Sequence, residues 1–120
     1  KLCKDVYVTD NDQECVKNIE RNFLENEITN GYIFKKNFSE GLPEKGPFDL
    51  IIIDCPQYNI NLDLLNQINV GGRILYIDKI NDELSKAYKM TKYENNYSKD
   101  FLFDVFSNFC LTKKVEGFNF

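Results

Sequence analysis

Two sets of carboxylates stand where strand patterns end. Asp10 and Asp12 follow "VYVT", and Asp54 follows "DLIII". Open α/β sheets bind their ligands at the carboxyl ends of parallel strands, so acids at such tips can converge on one rim. An acid cluster there could hold a divalent cation beside a phospho-accepting Asp54, the ion neutralising charge on the phosphoryl group. Alternatively, an acid after one strand, Asp10, could accept both hydroxyls of a ribose. A polar side chain after the next strand, Asn37, would then meet an adenine amino group. The plain alternative for each is a solvated acid that ends a strand and caps the following turn.

The composition removes several other chemistries. Histidine is absent, so histidine-based triads and histidine-containing zinc sites have no residue to fill them. Cys3, Cys15, Cys55 and Cys110 lie far apart with no CxxC pair, and they read as buried small hydrophobes with no metal site. A formal net charge of -4 argues against binding to nucleic-acid phosphates as the main activity. No apolar run approaches transmembrane length and no signal peptide opens the chain, so no membrane contact and an intracellular place (cytoplasm or organelle matrix) are expected. The chain opens on Lys1 rather than Met, which suggests that it begins inside a longer product.

The elements that must position these acids follow from periodicity. One hundred and twenty residues, 42% of them hydrophobic, suit a single globular domain. A strand is expected over about Val6 to Thr9. Cys15, Val16, Ile19, Phe23 and Leu24 then repeat at helical spacing behind Asp12 as N-cap. Gly31 is expected to close that helix as a left-handed cap or turn, and "YIFKK" to form a second strand. "NFSEGLPEKGP" is a loop, and Leu50 to Ile53 reads as a strand buried on both faces. "NLDLLNQI" reads as a short helix stopped by Gly71 and Gly72, and "RILYID" as a fourth strand. Residues 1–79 thus make a parallel α/β part. Residues 80–120 make an antiparallel edge hairpin turning at Asn95-Asn96.

A receiver domain phosphorylated at Asp54 fits the chain length and the separation of Asp12 from Asp54. It also needs a helix where "NFSEGLPEKGP" stands, and a Ser or Thr where Asp78 and Lys79 stand. It is the weaker reading.

The span from "VYVTDNDQECVKNIERNFLENEI" through "NFSEGLPEKGPFDLIIID" to "LLNQINVGGRILY" resembles protein-L-isoaspartate O-methyltransferase, a family of S-adenosylmethionine-dependent enzymes that repair damaged aspartyl residues. The more specific pieces are "EGLPEKGPFD" and "LLNQINVGGRIL", and the closing "FLFDVFSNFCLTKK" is similar to the family's last strand. The resemblance implies a Rossmann-like methyltransferase sheet, present here as its C-terminal part. The family's first strand and Gly-rich cofactor loop would precede Lys1, and no glycine occurs before Gly31. S-adenosylmethionine is the implied cofactor if the chain is active. Asp10, Asn11, Asn37, Phe38 and Asp54 are the implied cofactor-side residues, and no catalytic residue is assigned. Phe38 stands where the family has Gly, and its ring would crowd the adenine. "DCPQY" also echoes the strand end with which amino-group methyltransferases hold a target nitrogen, with one residue too many and a single proline; a turn built by Pro56 is the plainer account.

In that family the first strand is central, so its absence would leave apolar strand edges open, an aggregation hazard. A companion chain or upstream segment is therefore an expected partner. The expected function is a truncated or divergent methyltransferase-like domain with a structural or interaction role. The alternative is a working part of a protein carboxyl methyltransferase completed by an upstream segment.

Overall fold

The computed structural model describes residues 4–36 and 40–106, which fall into two compact units dividing between Gly41 and Leu42. Cys3, Asn37, Phe38 and Cys110, and the part of "FLFDVFSNFCLTKK" after Phe106, lie outside the described residues.

In the first unit, β1 (Val6–Asp10) pairs in parallel with β2 (Gly31–Lys35), Val6 opposite Gly31 and Asp10 opposite Lys35. The connection is α1 (Gln13–Glu25), as the apolar spacing predicts. Asp12 caps it as expected: its Oδ1 accepts from Glu14 N–H at 3.0 Å, a contact worth about 1 kcal/mol at such a position. Val16 is buried and Ile19 and Phe23 half-buried, whereas Leu24 is exposed, so the apolar stripe is narrower than its sequence suggests.

The end of α1 differs from expectation. The left-handed residue is Glu27, with φ of 54°, not Gly31. Glu27 N–H donates to the Leu24 carbonyl and Ile28 N–H to the Phe23 carbonyl, the paired bonds of a Schellman cap. Gly31 instead opens β2. A Cβ there would lie 2.9 Å from two atoms of the Phe23 ring, so glycine is required for close approach of helix to strand rather than for its φ.

The second unit is a four-stranded sheet in the order β3-β4-β5-β6: β3 (Phe48–Gln57), β4 (Ile68–Lys79), β5 (Leu84–Lys92) and β6 (Tyr97–Phe106). β3 and β4 are parallel, and β4-β5 and β5-β6 are antiparallel. The hairpin at Asn95-Asn96 forms as expected, closed by Tyr93 N–H donating to the Asn96 carbonyl. This is a partial Rossmann-like mixed sheet ending in an antiparallel hairpin.

"LDLLNQ" forms a 3₁₀ helix (Leu62–Gln67) instead of an α-helix. Leu64 and Ile68 drop from it and its end onto Ile74, Tyr76 and Met90, making the buried core of this unit. The Lys92 ammonium donates to the Leu65 and Ile68 carbonyls at 2.8 and 3.1 Å, satisfying the end of the 3₁₀ turn. Gly71 and Gly72 do not stop a helix. They lie inside β4, where Gly71 has φ of +85° and the β3-β4 register shifts between Phe48 and Leu50.

The expectation that Leu50 to Ile53 is covered on both faces is not met. Ile51 and Ile53 pack against the core, but Leu50 is 40% and Ile52 62% exposed. The 3₁₀ turn covers one face of the sheet only.

Candidate functional site

The tip of β1 is built by the residues that start α1. Asp12 N–H donates to Asp10 Oδ1 at 2.9 Å, which pins the Asp10 carboxylate at the strand end. An ionised carboxylate offers about four lone-pair directions, so this bond leaves capacity for the two hydroxyls of a diol. Lys36 N–H donates to the Asp10 carbonyl and continues the parallel ladder past the strand end. Asn11 and Asp12 are exposed beside it.

Cys15 is exposed on the first turn of α1, not buried. Its Sγ donates to Asp12 Oδ2 at 3.5 Å. That hydrogen bond, followed by partial desolvation and the charges of Asp12, Asp10 and Glu14, holds the thiol above its ordinary pKa. A thiol kept protonated in this way is a poor nucleophile. Among the described residues no cluster of acids, cysteines or histidines could hold a metal ion.

Asp54 belongs to the second unit. It does not end a strand, because β3 continues to Gln57 through a register shift between Ile52 and Pro56. Asp54 is exposed at that irregularity, 3.6 Å from the neighbouring Cys55 Sγ. Pro56 does not make a turn: it is buried in the ladder opposite Ile77. Proline is tolerated inside a sheet only on an edge or at a bulge, and β3 offers both. The chain turns afterwards, at Asn59 with φ of 53°.

Two further groups at the carboxyl ends of β3 and β4 were not singled out from the sequence. Gln57 is buried and pairs in register with Asp78. Burial raises the Asp78 carboxyl above its usual range, and the Lys99 ammonium opposes that shift. The available signal was a polar residue at the end of each strand of a parallel pair, but "RILYID" read as a strand and Asp78 weighed only against a receiver domain.

Tyr76, beneath this rim, stacks on Tyr88 at 5.8 Å. Its phenol is pushed up to about 12, first by burial and then by the charges of Asp78, Tyr88 and Tyr97. A raised folded value means that the unfolded chain gives up the proton first, starting near pH 10. The Tyr76 contribution to stability is therefore complete below pH 10 and is lost as pH rises toward 12. Urea midpoints are expected to fall across that interval in the wild type and to fall less in Tyr76→Phe.

Parallel strands with a crossover helix in one unit, and a mixed sheet with a terminal hairpin in the other, define the methyltransferase-like α/β class. Solved structures agree at the level of fold. An rRNA methylase from Streptococcus thermophilus matches with a TM-score of 0.53 at 13% identity, over 83% of this chain and 75% of that one. A protein-L-isoaspartate O-methyltransferase matches with 0.76 at 17% identity, over 84% of this chain and 32% of that one.

Within that class the similarity is to protein-L-isoaspartate O-methyltransferase. The Plasmodium falciparum structure described under that name, solved with S-adenosyl-L-homocysteine, matches with a TM-score of 0.71 at 24% identity, over 84% of this chain and 50% of that one. Curated proteins of that name from Jannaschia sp. and Paracoccus denitrificans are each 28% identical over 104 residues, or 87% of this chain. The chain spans about half the length of these relatives, 47% and 48% respectively. No family model matches.

The residues present fit the implied cofactor in part. Asp10 Oδ1 is held at the tip of β1 by the Asp12 N–H, while Asn37 and Phe38 fall outside the described residues.

Proposed function

We propose that this chain is a methyltransferase-like domain of the protein-L-isoaspartate O-methyltransferase type, corresponding to the C-terminal part of that domain. By itself it serves a structural or interaction role rather than catalysing transfer. The observation that carries this reading is the state of β3. This ten-residue strand is paired only with β4 among the described residues, while Leu50 and Ile52 remain exposed. Its apolar stretch from Leu50 to Ile53, ahead of the irregularity at Asp54 to Pro56, offers an edge to another strand. The partner is a further polypeptide segment, upstream in the same product or from a second chain, that pairs along the β3 edge. No helix among the described residues is long and apolar enough to cross a membrane.

The second reading rests on Asp10. Its pinned carboxylate supports a working cofactor half, with Asp10 and Asn11 on the ribose, Asn37 and Phe38 at the adenine and Asp54 on the rim. The remainder of the pocket would come from outside these residues. A melting experiment with S-adenosylhomocysteine separates the two. An unchanged transition at millimolar ligand supports the structural role, and a ligand-dependent rise supports the cofactor half.

A further inference from the structure

β6 is the other edge of the four-stranded sheet, and among the described residues its outer side is unpaired. It is also the most exposed apolar strand: Phe101, Leu102, Phe103 and Phe106 are 55, 43, 57 and 78% exposed. The β5-β6 register contains one irregularity. Ala87 faces Phe103 and Tyr88 faces Phe101, so Leu102 is the extra residue of a bulge.

That bulge changes which charges share a face. In an uninterrupted strand Lys99 and Asp104, five positions apart, would point to opposite sides. With Leu102 bulged they point to the same side. Lys99 faces Met90 and Asp104 faces Lys86, and Met90 and Lys86 lie four residues apart on β5. One rung across the sheet then reads Asp78, Lys86, Asp104, alternating in sign from β4 to β6. The next place outward, beyond Asp104, calls for a cation.

We infer that β6 pairs antiparallel with β6 of a second copy of this chain, about a two-fold axis through the Leu102 bulge. In that register Lys99 stands opposite the partner's Asp104, and Asp104 opposite the partner's Lys99. The alternating rung of each copy, Asp78, Lys86, Asp104, thereby continues one place further, onto the partner's lysine. Tyr97 meets the partner's Phe106 on the same face, and Ser98 meets the partner's Val105 on the other. A two-fold axis normal to the sheet keeps each face on its own side, so residues that pair must share a face. The bulge is what allows Lys99 and Asp104 to do so. The pairing sets Phe101 and Phe106 beside partner residues on one face and Phe103 beside them on the other, while Lys99 and Lys86 keep their contacts over the Tyr88 and Phe101 rings, at 4.2 and 5.5 Å.

Charge reversal tests this on the full chain by sedimentation equilibrium. Wild type is expected to reach twice the monomer mass as concentration rises. Lys99→Asp and Asp104→Lys each place two like-charge pairs at the interface, and each is expected to weaken the dimer about tenfold or more. An equimolar mixture of the two variants restores both complementary pairs and is expected to recover the dimer. That recovery also shows that neither variant has lost its fold. A wild type that stays monomeric overturns the inference. So does association that ignores the charge reversals, or a mixture that fails to recover while both variants keep wild-type circular dichroism.

Discussion

Leu64→Ala is expected to lower the unfolding free energy of the four-stranded unit by about 2–5 kcal/mol, the range for emptying a buried leucine site. Leu64 is 1% exposed at the centre of a core completed by Ile68, Ile74, Tyr76 and Met90. The cavity cannot collapse easily, because the 3₁₀ turn carrying Leu64 is fixed at both ends. Asn61 Oδ1 accepts from Asp63 N–H at its start, and Lys92 binds the carbonyls of Leu65 and Ile68 at its finish. Domain stabilities are about 5–15 kcal/mol in total, so this one change removes a large share. Urea unfolding followed by far-ultraviolet circular dichroism would show the midpoint falling with little change in slope. Leu62 is 49% exposed on the same turn, and Leu62→Ala is expected to stay within about 0.5 kcal/mol of wild type. Equal effects of the two would mean that the turn does not dock as described.

Gly72→Ala is the second large effect, expected at about 1–3 kcal/mol from overpacking. A Cβ at Gly72 would lie 2.7 Å from the Asn69 carbonyl oxygen and 3.2 Å from the Asp49 carbonyl oxygen. Both are backbone atoms at the register shift where β4 joins β3, so relief requires moving the ladder itself. Asn69 Nδ2 also donates to Asp49 Oδ1 at 2.9 Å, tying the two strands together at the same place. Gly71 is the instructive neighbour. A Cβ there meets nothing within 4 Å, and only the φ of +85° opposes a side chain. Its replacement by alanine should cost about 1 kcal/mol through backbone strain alone. Urea titration of both variants separates the mechanisms. Gly71→Asn should recover most of the Gly71→Ala loss because asparagine tolerates left-handed backbone, whereas Gly72→Asn should recover nothing.

These two glycines show where sequence reading stops. "NVGG" marks a break in regular structure, but a glycine needed for positive φ and one needed for close approach look alike in sequence. Gly31 raises the same ambiguity, and the left-handed position it was expected to fill is taken by Glu27. Local signals survive better. The spacing of Val16, Ile19 and Phe23 gave α1, Asp12 gave its cap, and Asn95-Asn96 gave the hairpin. Leu50 to Ile53 read as a strand covered on both faces, yet Leu50 and Ile52 are exposed. An apolar run encodes the need for cover without encoding what supplies it. At the candidate site, the place of Asp10 at a strand tip was legible. The buried Gln57 and the half-buried Asp78 were not, because their pairing depends on a register shift that no local pattern announces.

The most direct measurement is calorimetric titration of the chain alone with S-adenosylhomocysteine, repeated on Asp10→Ala. A domain that does not complete a cofactor site by itself should give no saturable heat up to about millimolar ligand, where binding would amount to only about 4 kcal/mol. One-to-one binding by the wild type, abolished in Asp10→Ala, would contradict that account and establish these residues as a working cofactor site.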